Sequence, residues 1–261
     1  MPEFNAPLRD MRFVLHEVFE APALWARLPA LADHVDADTA DAILEEAAKV
    51  TGQLIAPLNR SGDEQGAQWH AGKVTTPEGF KAAYHTYIEG GWVGLSGNPE
   101  FGGMGMPKML AVQFEEMLYG ANSSFALYSA LTSGACLAID AHASEELKSR
   151  YLPPLYEGRW AGSMCLTEAH SGTDLGLIRT RAEPQTDGSY TITGSKIFIT
   201  GGDQDLTANI IHLVLAKLPD APPGPRGISL FLVPKVLVND DGSLGQNNAV
   251  NCGSIEHKMG I

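Results

Sequence analysis

Two short stretches carry small polar side chains and glycines at spacings that could grip a planar ligand with polar edges. In MCLTEAHSGTD, Met164 to Asp174, the apolar Met164, Cys165 and Leu166 run directly into Thr167, Glu168, Ser171, Gly172, Thr173 and Asp174. A strand that leaves the core here delivers the Thr167 hydroxyl at its end. The glycine turn after it lets backbone N–H groups converge on an anion or on carbonyl oxygens. The same need recurs in KIFITGG, Lys196 to Gly202, where alternation puts Phe198 and Thr200 on one face of a strand that also ends in glycines. Side by side, two such strand ends would offer an aromatic plate and a rim of hydroxyls and amides, suited to a flat heteroaromatic ring. A Thr-Glu pair at a strand end and an alternating KIFIT are also common in β domains that hold no ligand, so spacing alone leaves both readings open.

The other reactive residue types lack the patterns that would make them sites. His16, His34, His70, His85, His142, His212 and His257 show no paired metal-ligand spacing, which points to surface or capping roles and to no metal site. Glu168 reads as a turn residue in preference to an acid or base. Gly102, Gly103 and Gly105 lack the GK of a phosphate loop and read as a turn. Cys136, Cys165 and Cys252 are odd in number and without a CxxC pair, so each reads as a small buried hydrophobe in a reducing compartment.

The elements that must position these residues change character along the chain. From Asp38 the apolar Ala40, Ile43, Leu44, Ala47, Val50 and Leu54 recur at three and four, which predicts one amphipathic helix closed by Pro57. Thr76, Pro77 and Glu78 read as the start of another, buried through Phe80, Ala83, Tyr84, Tyr87 and Ile88. GGWVGLSGNPEFGGMGMP holds seven glycines and two prolines and is a loop. A helix follows Pro107, and the run from Ser123 to Ala143 is so apolar that both its faces should be covered. Ser144 starts a short helix that Pro153 and Pro154 should stop.

After about Gly158 the apolar period falls from near 3.6 to near 2: SYTITGSKIFIT alternates, Asp187-Gly188 marks a tight turn, and IIHLVLAKL and GISLFLVPK read as strands. Pro219 to Gly227 is a hairpin loop. Helices and strands in separate blocks predict an α+β protein: an all-helical domain over 1–157, with an N-terminal extension over about 1–37, then an antiparallel, barrel-like β domain over 158–261. NCGSIEHKMGI ends inside what reads as another strand, so we expect the natural polypeptide to continue beyond Ile261.

Composition excludes several classes. The net charge of −13 repels nucleic acid and anionic lipid, although local backbone dipoles can still hold a small anion. The N-terminus lacks the basic start and apolar run of a signal peptide, and we find no 18-residue apolar run in the sequence, so a cytoplasmic protein is expected.

MCLTEAHSGTD followed about 20 residues later by GSKIFITGG resembles the paired flavin-binding segments of the acyl-CoA dehydrogenase family, with its CxTE, its (S/T)D and its GxKxxIT. EGGWVGLSGNPEFGGMGMP and EELKSRYLPPLYEGRWAGSMCLTE are similar to that family's glycine-rich loop and to its approach to the first flavin strand, so the resemblance runs from Gly90 to Ile261. MPEFNAPLRDMRFVLHEVF and EAHSGTDLGL look most like a longer subgroup that includes 3-methylmercaptopropionyl-CoA dehydrogenases. The resemblance implies FAD against the β domain. Met164, Leu166, Thr167, Gly172, Thr173, Phe198, Ile199 and Thr200 would bind it, with Thr167 and the amides around Leu166 at the pyrimidine edge and Phe198 and Thr200 toward N5. Thr173 would also touch an acyl-CoA substrate, while His170 and Ser171 stand where many members carry glycine or alanine.

The implied reaction removes an α-proton from an acyl-CoA thioester and passes the β-hydride to flavin, with electron-transferring flavoprotein as the onward acceptor and a homo-oligomer as the working form. The family's base, usually a glutamate, sits in a C-terminal helical domain that we do not find in this sequence, so no catalytic residue is assigned. A related flavin monooxygenase or nitroalkane oxidase, or a non-catalytic scaffold of the same fold, are the alternatives.

Overall fold

Apolar residues recurring every three or four positions fold into helices, most of which share one aromatic core, while the last helix packs with the sheet in a second cluster around Leu152, Leu155, Trp160 and Ile211. The computed structural model describes residues 4–258. Its helices are α1 (Leu8–Arg12), α2 (Ala21–Trp25), α3 (Ala37–Lys49), α4 (Leu58–Gln65), α5 (Phe80–Glu89), α6 (Lys108–Ala121), α7 (Ser123–His142) and α8 (Glu145–Tyr156). The Asp36 carboxylate caps α3 by accepting from the Thr39 N–H at 2.8 Å, and Ala40, Leu44 and Ala47 form its buried stripe. In the core Trp92 stacks on Phe114 at 4.6 Å and Phe125 meets Tyr87 edge-on at 5.7 Å.

Four expectations for this half are corrected. Pro57 does not close the α3 segment: a π turn at Val50–Ile55 leads into α4, which Pro57 immediately precedes. Thr76 does not cap α5, whose cap is Gly79 at φ 87°. It turns instead to the other half of the molecule, donating its N–H and hydroxyl to Asp205 at 2.9 and 2.7 Å. Pro153 and Pro154 lie inside α8, where burial of Tyr151, Leu152, Leu155 and Tyr156 outweighs the lost helical hydrogen bonds. A hairpin, β1 (Gln68–His70) with β2 (Lys73–Thr75), interrupts the helices because Ala71 and Gly72 both adopt positive φ, as a type I′ turn requires.

Helix α7 lies against α6, α8 and β3 (Trp160–Cys165). Contrary to the sequence expectation, it is long and apolar enough by length and composition to cross a membrane. Its other face is also less covered than expected, since Leu137 is 59% exposed. Gly162 of β3 makes the close approach possible: a Cβ there would sit 2.4 Å from the Ala135 methyl and 3.1 Å from Thr132 Cα, and its N–H donates to the Thr132 hydroxyl at 3.0 Å.

The second half is a mixed sheet. Strand β6 (Asn209–Lys217) pairs parallel with β3 from Trp160↔Asn209 to Cys165↔Val214 and antiparallel with β7 (Ile228–Pro234). Strands β4 (Arg181–Pro184) and β5 (Tyr190–Thr193) form the hairpin expected around Gly188, and β4 meets β6 in parallel at Arg181↔Lys217. A small hairpin, β8 (Val236–Val238) with β9 (Leu244–Asn247), follows. The α+β class holds. The expected antiparallel pairing holds for β4 with β5 and β6 with β7 but not for β6 with β3 and β4, because the segment between β3 and β6 brings the chain back parallel to β3. The apolar run of β6 fits this central, doubly covered position. Residues 248–258 carry no strand, correcting that expectation, and the final residues of NCGSIEHKMGI lie outside the described ones.

Candidate functional site

Strand β3 leaves the core at Cys165, and the segment that follows lies beside the second polar stretch. The Ile197 N–H donates to the Thr167 carbonyl at 2.9 Å. The Lys196 ammonium donates to the Leu166 carbonyl at 2.9 Å and to Glu168 Oε1 at 3.0 Å. The expected neighbourhood of the two stretches is therefore present, but the second is not a strand. Lys196 to Thr200 is irregular, and Phe198 takes φ 59°, which breaks the alternation read from the sequence. Phe198 is 44% exposed, with the Lys258 ammonium 4.6 Å from its ring centroid.

Glu168 is the hub between them and is 4% exposed. Its carboxylate accepts from the Thr180 N–H at 3.0 Å, the Thr180 hydroxyl at 2.6 Å and the Arg179 N–H at 2.7 Å, besides Lys196. Burial acts to raise its pKa. The bonds from Thr180, Arg179 and Lys196 together outweigh that and hold the carboxyl down at about 2. A carboxylate so fully engaged fastens the turn and is unsuited to proton transfer, as the turn reading expected.

Phe198 and Thr200 open onto a cleft of about 2180 Å³ between the two halves, roughly twice the upper size of common small-molecule sites. Glu168, Lys196 and Phe198 line one wall, and Phe80, Ser124 and Tyr128 of α5 and α7 line the facing one. Of the residues expected to bind a cofactor, Phe198, Ile199 and Thr200 border the cleft. Met164, Leu166, Thr167, Gly172 and Thr173 lie outside its lining, on the β3 exit and the turn after it. Met164 is 37% exposed, Leu166 and Thr167 are half-buried, and Gly172 and Thr173 are exposed. Gly172 lies close to Thr167, and a Cβ there would meet the Thr167 methyl at an ordinary 3.4 Å contact.

Sequence reasoning missed three further groups near the cleft. Tyr128 lies against Gly201, where an added Cβ would come within 3.5 Å of its ring, and burial with nearby Asp205 pushes its phenol up to about 12. Only its place on a helical stripe could have signalled it. His212 corrects the surface-or-cap reading: it is 2% exposed, with Nδ1 2.6 Å from the Ser163 hydroxyl and Nε2 without a partner among the described residues. Burial, with Lys235 adding to it, pulls its pKa down to about 4, so the ring is neutral. Its place in the apolar run of β6 was the available signal. Lys235 pairs with Asp203, which lines the cleft beside it. Cys136 and Cys165 are buried as expected, while Cys252 is half-buried; all are free thiols. No cluster of three or more ligating side chains exists among the described residues.

The family model for the acyl-CoA dehydrogenase N-terminal domain matches residues 37–159, and the model for the acyl-CoA dehydrogenase middle domain matches residues 163–261. A 3-methylmercaptopropionyl-CoA dehydrogenase of Ruegeria pomeroyi is 44% identical over 99% of this chain and 44% of its own length. A butyryl-CoA dehydrogenase of Syntrophomonas wolfei is 42% identical over 97% of this chain and 42% of its own. The solved structure of an acyl-CoA dehydrogenase complexed with FAD from Bacillus anthracis shares the fold, with a TM-score of 0.62 at 24% identity over 76% of this chain and 31% of that one. The chain thus spans less than half the length of these curated relatives.

Proposed function

Because the chain belongs to the acyl-CoA dehydrogenase family, we propose that it forms the flavin-holding part of an enzyme that dehydrogenates an acyl-CoA thioester between its α and β carbons. The observation that carries this reading is the Ile197 N–H bond to the Thr167 carbonyl, which ties together the two stretches that a flavin would span. The residues fit FAD: Phe198 presents an exposed ring and Thr200 a hydroxyl at a cleft roomy enough for a dinucleotide, and Thr167 adds a half-buried hydroxyl on the adjoining stretch that Ile197 bonds. FAD, when bound, supplies the acceptor for the substrate's β-hydride.

The chain's own residues bind and orient. Thr167 and the amides around Leu166 hold the pyrimidine edge, where donors stabilise the negative charge that develops on reduction. Phe198, Ile199 and Thr200 hold the ring, and Gly172 lets the backbone beside Thr173 approach the acyl-CoA. We assign no base within the chain, since the Glu168 carboxylate is saturated by its donors and Asp203 is paired with Lys235. In this reading the base belongs to the helical part of the relatives' remaining length, and the chain by itself is inactive. Electron-transferring flavoprotein as acceptor, a homo-oligomeric working form and a cytoplasmic site belong to the same proposal.

The test is anaerobic addition of an acyl-CoA to the flavin-loaded natural protein. Bleaching of the yellow absorption is expected. A protein that never takes up FAD overturns the reading, and oxygen consumption without an added acceptor points instead to a monooxygenase or nitroalkane oxidase.

A further inference from the structure

Lys196 is an unusual presence in the wall between the two stretches, because its side chain is 9% exposed and its charge is directed at the backbone. The ammonium donates to the Leu166 carbonyl at 2.9 Å and to Glu168 Oε1 at 3.0 Å. That carbonyl belongs to the same peptide group as the Thr167 N–H, which has no hydrogen-bond partner among the described residues. The Thr167 carbonyl, one peptide further on, is already engaged by Ile197. The chain has therefore fixed the orientation of a peptide, placed a cation on its oxygen end and left its N–H without a partner among the described residues, at a half-buried position. A charge-assisted bond to a carbonyl polarises the amide and makes its N–H a stronger donor, more so where water is largely excluded.

We propose that Lys196 is a positioning residue that polarises the Leu166–Thr167 peptide, so that the Thr167 N–H stabilises a reduced flavin more than an oxidised one. The proposal rests on the flavin reading above. Glu168 then has a second part: as the counter-charge, engaged by Thr180 and Arg179, it limits how much of the lysine's field reaches the peptide. Removing the cation and removing the counter-charge should move the flavin in opposite directions. A purely mechanical role for the pair predicts that both changes loosen the wall and move it in the same direction.

The test compares the FAD-loaded protein with Lys196→Met, Lys196→Arg and Glu168→Gln, reading the midpoint potential of bound FAD and its dissociation constant. Lys196→Met is expected to shift the potential to more negative values and to weaken FAD binding on the order of tenfold, the effect of losing one charged hydrogen bond. Lys196→Arg should restore both, and Glu168→Gln should shift the potential to more positive values. An unchanged potential in Lys196→Met overturns the proposal, as do shifts of the same sign in Lys196→Met and Glu168→Gln. If Glu168→Gln loses its cooperative melt, the contrast between Lys196→Met and Lys196→Arg decides, and equal potentials overturn the proposal. An unmutated protein without FAD affinity overturns the flavin reading itself, whereas normal FAD binding with an indifferent Lys196 overturns only this inference.

Discussion

Phe198 combines a backbone conformation that glycine adopts freely with a ring that is 44% exposed and covered by the Lys258 ammonium. Holding φ at 59° costs a non-glycine residue ~1 to 2 kcal/mol, and an exposed cation–π contact returns ~0.5 to 1 kcal/mol. Phe198→Gly should therefore leave stability within about 1 kcal/mol of the unmutated protein while weakening FAD binding. Urea denaturation beside an FAD titration checks this, and a large loss of stability would mean that the ring belongs to the core. Two buried titratable residues set the acid response. Glu168 has its pKa lowered from 4.5 to about 2, so its contribution is complete above 4.5 and is lost as pH falls toward 2. His212 is lowered from 6.5 to about 4, so the unfolded chain takes up its proton first. The neutral ring's contribution is complete above 6.5 and is lost between 6.5 and 4, by up to about 3 kcal/mol. In His212→Gln the urea midpoint should be nearly flat between pH 6.5 and 4.5, above the range in which Glu168 takes up its proton, and an unchanged slope there would contradict the assignment.

At the scale of elements, the close seating of α7 on β3 depends on the missing side chain of Gly162. Gly162→Ala brings a methyl to 2.4 Å from Ala135 and 3.1 Å from the α7 backbone, an overpacking that should cost about 1 to 3 kcal/mol by denaturation. A neutral result would show that α7 shifts freely on the sheet. The same scale separates what was legible in the sequence from what was not. The stripe of α3, the apolar α7 and the β-branched runs of β6 and β7 each bury a face set by local spacing, so they could be read directly. Thr76 could not be placed, because the acceptor it prefers to a helix end is Asp205, far along the chain. Nor could the parallel pairing of β3 with β6, since a crossover and a hairpin leave similar traces in each strand's composition. KIFIT alternates like a strand, but the Thr167 carbonyl and Glu168 claim its Ile197 N–H and Lys196 side chain and draw it out of any ladder. The site was legible as two polar stretches; the Glu168 hub joining them was not, because its partners, the adjacent Arg179 and Thr180 and the separate Lys196, lie 11 to 28 residues further along the chain.

At the scale of the whole molecule, the flavin reading requires a chain of net charge −13 to hold an anionic cofactor against its own average field. In that reading it would do so locally, through the Thr167 N–H and the Thr167 and Thr200 hydroxyls. Links from the helical half to the β half or its trailing segment include Thr76 to Asp205, Tyr84 to the Gly158 carbonyl at 3.1 Å, the Thr132 hydroxyl accepting from the Gly162 N–H at 3.0 Å, Arg150 to Asp240 at 3.3 Å, and the Trp69 indole to the Cys252 carbonyl at 3.0 Å. They tie the helical half to the β half on either side of the cleft.

The most direct measurement is a calorimetric titration of the purified protein with FAD, repeated on Thr167→Val and Phe198→Gly. One saturable equivalent per chain, weakened by each substitution, is the expected result. Absence of saturable binding, or binding indifferent to both substitutions, would contradict the claim that these two stretches hold a flavin.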